Sequence, residues 1–182
     1  MTDEQILEDI KKGNSSVYRE LVFRYESQIA STIIGMLGKC PEAEDIGQEV
    51  FIRFYKAIPN FRGDSSVATY LTRIAINLSL NEIKKRKRRK SIFADKEITE
   101  LLNYEDHNKQ DITEDKELLN KAIQSLNPKF RSVLVLRLID GYSTDEVAKI
   151  LKIPMGTTLS RLFRAQEKLR EKLTPLMEVS YG

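Results

Sequence analysis

Residues 143–169 read STDEVAKILKIPMGTTLSRLFRAQEKL, and this stretch predicts two helices separated by a short turn. Ser143 and Glu146 have the S-x-x-E spacing of a capping box, which predicts a first helix that ends near Leu151. Pro154 suits the first turn of a second helix, because no backbone N–H is needed there. A short helix, a turn and a longer basic helix are together typical of a helix-turn-helix.

The second of these helices is predicted to have one buried and one exposed face. Apolar or small side chains recur at helical spacing and would face inward: Thr158, Leu162, Ala165 and Leu169. The outward face then carries hydroxyl and cationic groups, which are the types that reach base edges and phosphates: Thr157, Ser160, Arg161, Arg164 and Lys168. Leu159 also points outward in this register. An ordinary helical hairpin with a basic surface remains the alternative.

The composition is that of a folded protein with an uneven distribution of charge. The 182 residues suit one domain or two small ones, and 41% hydrophobic residues exclude a wholly disordered chain. The net charge of +3 hides four blocks: residues 1–60 carry −3, 61–90 carry +7, 91–120 carry −6 and 121–182 carry +5. Two basic blocks around an acidic one indicate two nucleic-acid surfaces joined by a tether, unless they are ordinary charged helix surface.

Apolar residues recur at spacings of three and four almost throughout, so we predict an all-α fold of two small helical domains. Helices are predicted at 3–12, 15–37, 41–57, 66–90, 116–126, 128–139, 143–151 and 154–173. The helices of residues 1–90 would form an N-terminal bundle, and residues 115–176 would form the helix-turn-helix domain, followed by a tail at 177–182. Residues 91–114 are acidic and polar, which predicts a flexible linker.

A second basic surface is predicted on the helix that ends the N-terminal domain. Seven consecutive cationic residues occupy its last two turns: Lys84, Lys85, Arg86, Lys87, Arg88, Arg89 and Lys90. We interpret them as phosphate-binding; helix-dipole compensation and a nuclear localisation signal are the alternatives. Upstream, Tyr70, Arg73 and Asn77 share one helix face beside the loop 61–66. An aromatic ring next to cations suits unpaired DNA, although Tyr70 as plain core is the competing interpretation.

No constellation in the sequence is typical of an enzyme. His107 has no serine, cysteine or metal-ligand partner at useful spacing, and there is no G-x-x-x-x-G-K phosphate loop. Cys40 precedes Pro41 at a predicted helix start, which favours a capping or surface role. One cysteine also excludes an intrachain disulfide or a zinc knuckle. We therefore expect no catalytic residues, no metal, no cofactor and no small-molecule substrate.

No apolar run approaches the roughly 18 residues of a membrane-spanning helix, and residues 1–20 lack the features of a signal peptide. We therefore expect a cytoplasmic protein with no direct membrane insertion.

Three long segments resemble a known family. They are AEDIGQEVFIRFYKAI at 43–58, FRGDSSVATYLTRIAINLSLNEIKKRKRR at 61–89 and SLNPKFRSVLVLRLIDGYSTDEVAKILKIPMGTTLSRLFRAQEKLREKL at 125–173. In this order they resemble bacterial RNA polymerase sigma factors of the extracytoplasmic-function (ECF) group. The resemblance implies a transcription initiation factor that binds core polymerase at its clamp coiled coil and flap, directs it to −35 and −10 promoter elements and helps melt the −10 region.

The resemblance also assigns roles to particular residues. It implies that Asp45, Gln48 and Glu49 bind the clamp coiled coil. The −10 element is assigned to one loop and the following helix: Phe61, Arg62, Gly63, Asp64, Ser65, Ser66, Tyr70, Arg73 and Asn77. Base flipping costs a few kcal/mol, which a fitted pocket repays. Ser160, Arg161 and Arg164 match the −35 contacts, to which the helix face adds Thr157 and Lys168.

Two positions depart from the family pattern. Tyr70 stands where the family usually has tryptophan, and Leu159 stands where a basic residue commonly reaches the DNA. We predict that Leu159 weakens −35 affinity or alters its sequence preference.

The family resemblance further implies an anti-sigma protein as partner, which would hold this stress- or signal-responsive factor and could recruit it to the membrane. The alternative function is a helix-turn-helix repressor or activator that is not a polymerase subunit. Binding to core polymerase separates the two.

Overall fold

The structure is a computed structural model that describes residues 1–94 and 114–181, and every regular element in those ranges is helical. The predicted all-α fold is confirmed. In chain order the helices are α1 (Asp3–Lys11), α2 (Tyr18–Leu37), α3 (Pro41–Ala57), α4 (Val67–Ala94), α5 (Glu114–Gln124), α6 (Pro128–Leu134), α7 (Thr144–Leu151) and α8 (Met155–Tyr181). Short 3-10 turns occupy Ser15–Val17 and Ile58–Asn60, and a π-helical turn occupies Val135–Ile139.

Local sequence signals explain several helix ends. Ser143 and Glu146 form the predicted capping box, with the Ser143 N–H donating to Glu146 Oε2 over 2.8 Å. Gly38 ends α2 with φ of +77°, a backbone conformation that side-chain-bearing residues rarely adopt. Lys152 also has a positive φ, of 53°, and takes the left-handed helical conformation in the turn that follows α7.

Other helix ends differ from the predicted ones. The helix predicted at 15–37 opens with a 3-10 turn, and the helix predicted at 128–139 closes with the π-helical turn. The basic helix α4 continues to Ala94 rather than ending at residue 90. Helix α8 runs through Pro175 to Tyr181 instead of ending near 173, although an interior proline disfavours a helix.

The buried side chains form one continuous core. In residues 1–94, which we call the N-terminal half, fully buried Ile33, Phe54 and Leu71 bring α2, α3 and α4 together. In residues 114–181, the C-terminal half, Val147 and Ala165 pack the two helices of the helix-turn-helix. The predicted acidic linker lies largely at residues 95–113, outside the described residues. None of the described helices is both long and apolar enough to cross a membrane.

The two halves also touch, along a surface that we call the closed contact. It joins α2 and α4 of the N-terminal half to α5, α6, the π-helical turn and α7 of the C-terminal half. Its centre is tightly packed, since Val135 is fully buried against Gly35 of α2.

Candidate nucleic-acid interface

Helix α3 presents a polar stripe opposite its buried face. Val50 and Phe54 are fully buried, while Asp45 and Gln48 are exposed and Glu49 is half-exposed. Glu49 accepts a hydrogen bond from Arg53 Nε over 2.6 Å, one turn further along the helix. The three residues predicted to bind a protein partner therefore do lie on one accessible side of the helix.

The predicted base-capturing loop follows α3 and is held at both ends. Lys11 Nζ donates to the Phe61 carbonyl over 3.0 Å, and Ser66 Oγ accepts from the Thr69 N–H at the start of α4. Gly63 has φ of +78°, which permits the tight bend at the loop tip. Four loop residues are exposed and Ser65 is half-buried; the exposed ones are Arg62, Gly63, Asp64 and Ser66.

Tyr70 lies in an aromatic cluster rather than alone on a free face. Its ring centroid is 5.3 Å from that of Phe61 and 5.6 Å from that of Phe54, and the ring is half-buried. Phe61 in turn packs edge-on against Phe54 at 5.7 Å. Such edge-to-face pairs stabilise the cluster beyond simple burial. Tyr70 thus anchors the base of the loop to the core.

Arg73 and Asn77 follow Tyr70 on α4 in different environments. Asn77 is exposed, whereas Arg73 Nη2 donates to the Lys149 carbonyl of α7 over 3.1 Å. The Nε of Arg73 is buried and makes no hydrogen bond. The structure therefore brings Tyr70, Arg73 and Asn77 to one side of α4, as predicted. Of the three, only Asn77 is exposed, and the other two are half-buried.

The seven consecutive cationic residues do not form a uniform surface. Arg86 is half-buried and bonds to Glu82 Oε1, Glu42 Oε2 and Cys40 Sγ, at 3.2, 3.2 and 3.0 Å. Arg89 also reaches Glu82, at 3.0 Å. Arg86 is thus a structural link from α4 to the start of α3. The fully exposed cations with no ion pair among the described residues are Lys84, Lys87, Arg88 and Lys90.

Helix α8 has the two faces that its sequence predicts. Thr158 and Ala165 are fully buried, and Leu162 and Leu169 are partly buried. On the opposite side Ser160, Arg164 and Lys168 are exposed, while Thr157 and Arg161 are half-buried. Hydrogen bonding from Ser143 lowers the pKa of Glu146 at the start of α7. The carboxylate therefore stays negatively charged, and a negative charge stabilises a helix N-terminus.

Helix α8 also carries an exposed apolar strip, of which the sequence analysis predicts only Leu159. Leu159 is 52% exposed, which confirms its outward orientation, and Phe163 is 62% exposed one turn later. The sequence contained the signal for Phe163, since it follows Leu159 at a spacing of four residues. The strip runs beside the polar face that holds Ser160 and Arg164.

Within the two described ranges, no three His, Cys, Asp or Glu side chains converge as metal ligands do. His107 lies outside the described residues.

These features define a helical protein with a helix-turn-helix in its C-terminal half and, in its N-terminal half, a basic helix α4 whose Tyr70 joins an aromatic cluster with Phe54 and Phe61. Residues 21–89 match the family model "Sigma-70 region 2", and residues 122–171 match "Sigma-70, region 4". The RNA polymerase sigma-H factor of Pseudomonas aeruginosa is 35% identical, over 96% of this chain and 95% of the relative. The ECF RNA polymerase sigma-E factor of Escherichia coli is 34% identical, over 97% of each chain.

Solved structures agree with this fold. The sigma factor RpoE from Bartonella quintana, in complex with the anti-sigma factor NepR, superposes with a TM-score of 0.70 at 23% identity, over 86% of this chain and 96% of that one. CnrH in complex with the cytosolic domain of CnrY gives a TM-score of 0.69 at 21% identity, over 94% and 96%. The chain therefore belongs to the ECF group of sigma-70 family RNA polymerase sigma factors. It is an alternative sigma factor for transcription initiation, and its partners are core RNA polymerase and promoter DNA.

Proposed function

We propose that the N-terminal half docks on the polymerase clamp and captures the −10 element, while the C-terminal half reads the −35 element and touches the flap. The chain contributes recognition and no catalysis, as a bacterial cytoplasmic subunit. The observation that carries the proposal is the split of α8, where buried Thr158 and Ala165 fix the register and leave Ser160, Arg164 and Lys168 exposed.

The polar stripe on α3 supports the clamp assignment. Asp45 and Gln48 are exposed on a helix whose other side is anchored by fully buried Phe54, so the stripe is presented rigidly. The same Phe54 ring packs on Phe61 and Tyr70, which ties the polymerase-facing helix to the proposed base-capturing loop. Docking on α3 would thereby orient that loop toward the DNA.

On this proposal the −10 strand meets the loop 61–66 and then the exposed side of α4. Asn77 is available to a base edge, and the exposed cations Lys84, Lys87 and Arg88 continue along the same helix toward its end. Phosphate contacts by these cations fix the position of the strand, whereas the loop provides the base-sized pocket.

The relatives of known structure add an anti-sigma protein to the proposal. RpoE is seen with the anti-sigma factor NepR, and CnrH with the cytosolic domain of CnrY. By this likeness the present chain is a signal-responsive factor held by an anti-sigma protein, which would recruit it to the membrane when that protein is membrane-bound.

Size-exclusion chromatography with bacterial core RNA polymerase tests the proposal. We expect the wild-type chain to co-elute with core enzyme and Asp45→Arg to lose this association, because the charge is reversed on the proposed docking face. Glu26→Arg is the matched control, since it makes the same kind of change on the exposed side of α2. Failure of the wild-type chain to associate, together with tight binding to duplex DNA alone, would instead favour a repressor.

A further inference from the structure

The apolar strip of α8 continues toward the beginning of the helix. Leu159 is 52% exposed and Phe163 is 62% exposed, and Met155, one turn before Leu159, is 41% exposed. The three side chains follow one another at intervals of four residues, so they are neighbours on one side of the helix. Single exposed apolar residues are common on protein surfaces, whereas contiguous apolar surface indicates an interaction site.

The charges beside the strip indicate what kind of molecule covers it. Phe163 is followed directly by the exposed Arg164, and the exposed Lys168 lies one turn further along. A carboxylate appears only at Glu167, one turn after Phe163, where the strip ends. Positive charge next to apolar side chains suits an anionic ligand that also presents apolar groups, and duplex DNA has both.

In the major groove of DNA, thymine provides the apolar group that such side chains match. Its C5 methyl group projects into the groove, among base edges that otherwise present hydrogen-bond donors and acceptors. A leucine cannot hydrogen-bond to a base, and Ser160 beside it already donates its hydroxyl to the Thr157 carbonyl over 3.1 Å. The N-terminal residues of a recognition helix are the ones that reach base edges, and the strip lies in this part of α8.

The backbone of α8 is also uncovered near the strip. Gly156 is exposed and lies one turn before Ser160 and two turns before Phe163. A Cβ at this position would meet no atom within 4 Å, so packing inside the chain does not require glycine here. The missing side chain instead allows a ligand to approach the helix backbone closely.

We propose that Leu159 and Phe163 bind thymine methyl groups in the major groove, so that the chain selects a −35 element with thymine at the strip. The inference rests on the proposed binding of −35 DNA by α8, and it specifies the altered sequence preference predicted for Leu159. Arg164 and Lys168 then hold neighbouring phosphates or base edges, while the strip distinguishes thymine from cytosine.

Replacement of thymine by uracil provides the sharpest test, because deoxyuridine lacks only the C5 methyl group of thymidine. A tightly bound duplex is first selected from random duplexes with the full chain, and each thymine is then replaced by uracil in turn. Fluorescence anisotropy measures the affinity. At one or more thymines, wild type should bind the uracil duplex about fourfold more weakly, as expected when one buried apolar carbon is lost.

Truncation of the strip shows whether it makes this contact. Leu159→Ala/Phe163→Ala should bind the thymine and uracil duplexes equally, and the two single variants identify which side chain meets the methyl group. Such coupling between a side chain and one methyl group is not produced by a general weakening of the protein. Both side chains are largely exposed, so we expect the variants to fold, and circular dichroism checks their helix content.

Leu138→Ala is the matched control. Leu138 is a leucine with the same exposed fraction as Leu159, 52%, but it belongs to the π-helical turn rather than to α8. This variant should keep the wild-type affinity for the selected duplex and the wild-type preference for thymine over uracil.

The outcomes distinguish this inference from the function on which it rests. If Arg164→Ala weakens duplex binding while wild type tolerates uracil at every thymine, α8 still binds DNA and the reading of thymine is overturned. Loss of co-elution with core polymerase by Leu159→Ala/Phe163→Ala would then assign the strip to a protein partner. Thymine preference that survives in the double variant also overturns the inference. If neither Arg164→Ala nor the double variant changes duplex binding, the proposed function of α8 fails as well.

Discussion

Helices α4 and α8 both carry cations and hydroxyls that we propose to bind DNA, yet these groups lie in different environments in the folded chain. On α4, Thr72 is fully buried and Arg73 is bound by the opposite half. On α8, the exposed Arg164 and Lys168 make no hydrogen bond or ion pair within the described residues, and Ser160 bonds only to its own helix. The comparison indicates that the proposed duplex-binding face of α8 is exposed, whereas the proposed single-strand surface of α4 is partly covered.

The largest expected effect comes from removing the buried Arg131 guanidinium at the closed contact. Arg131 is 8% exposed and donates to Met36 and Leu126 carbonyls at 2.6 and 3.0 Å, as well as to both oxygens of Gln124. We expect Arg131→Ala to lower the free energy of unfolding by about 3 kcal/mol, because several buried carbonyls lose their donor.

Urea unfolding followed by circular dichroism measures this loss. Arg137→Ala, at a half-exposed arginine six residues later, should change stability by less than about 0.5 kcal/mol. Equal losses for the two variants would show that Arg131 is not a special link between the halves.

The next effect distinguishes the roles proposed for α8 and α4. The probe is a promoter duplex obtained by selecting random duplexes for binding to the full chain. Arg164→Ala should weaken binding to this duplex by about tenfold, as expected for the loss of one base or phosphate contact. Arg73→Ala should leave this duplex affinity within about twofold, since Arg73 is held in the closed contact and does not face the −35 element. Fluorescence anisotropy measures both variants, and a larger loss for Arg73→Ala would contradict the comparison.

A third effect is a dependence of the closed contact on pH. Burial raises the pKa of Asp140 to about 6, although the hydrogen bond from Thr32 opposes the shift. The charged form is therefore disfavoured in the closed contact, so closing should strengthen as the pH falls through about 6 and weaken above it. We expect the open-to-closed ratio to rise about tenfold between about pH 5 and about pH 8, as measured by small-angle scattering.

The groups around Asp140 leave it as the residue that titrates in this range. Burial raises the pKa of Tyr25 and of Tyr142, so both stay neutral, and hydrogen bonding from Ser143 keeps Glu146 charged by lowering its pKa. In the same contact Arg73 of α4 donates to the backbone carbonyl of Lys149, whose side chain pairs with Asp145. Asp140→Asn should close the chain at all pH values tested; a pH dependence that survives this change would point to another group.

The smallest effect concerns Leu159 on the exposed face of α8. Leu159 is exposed at a position where family members commonly place a basic residue. Leu159→Arg should tighten binding to the same promoter duplex a few-fold, because one more phosphate can be neutralised. No gain in affinity would contradict the prediction that Leu159 weakens −35 recognition.

Local pattern was enough to predict the helices and the two faces of α8, because burial every three or four residues leaves a direct trace in sequence. It could not predict the closed contact. Gln28 and Tyr142 are 114 residues apart, and neither has a neighbour in sequence that marks it as one of a pair. Tyr70 fits both the core and an exposed face by spacing, and only the positions of Phe54 and Phe61 place it in the aromatic cluster.

The run of seven cations shows the same limit. In sequence its members are equivalent, but Arg86 meets Glu42 44 residues away and becomes part of the framework. Its neighbours Lys87 and Arg88 remain exposed. A charge pattern indicates how many cations a surface can offer, and only the fold shows which of them are already engaged.

The makeup of the closed contact has a consequence for ionic strength. Among the described residues no ion pair joins the halves; apolar packing and hydrogen bonds to hydroxyl, carboxylate and backbone oxygens do so instead. Binding of proteins to DNA weakens steeply as salt rises, because the release of counterions from the DNA becomes less favourable. Salt barely screens the closed contact by comparison. Rising salt therefore favours the closed contact within the chain over binding to DNA, so that promoter engagement would depend on ionic strength.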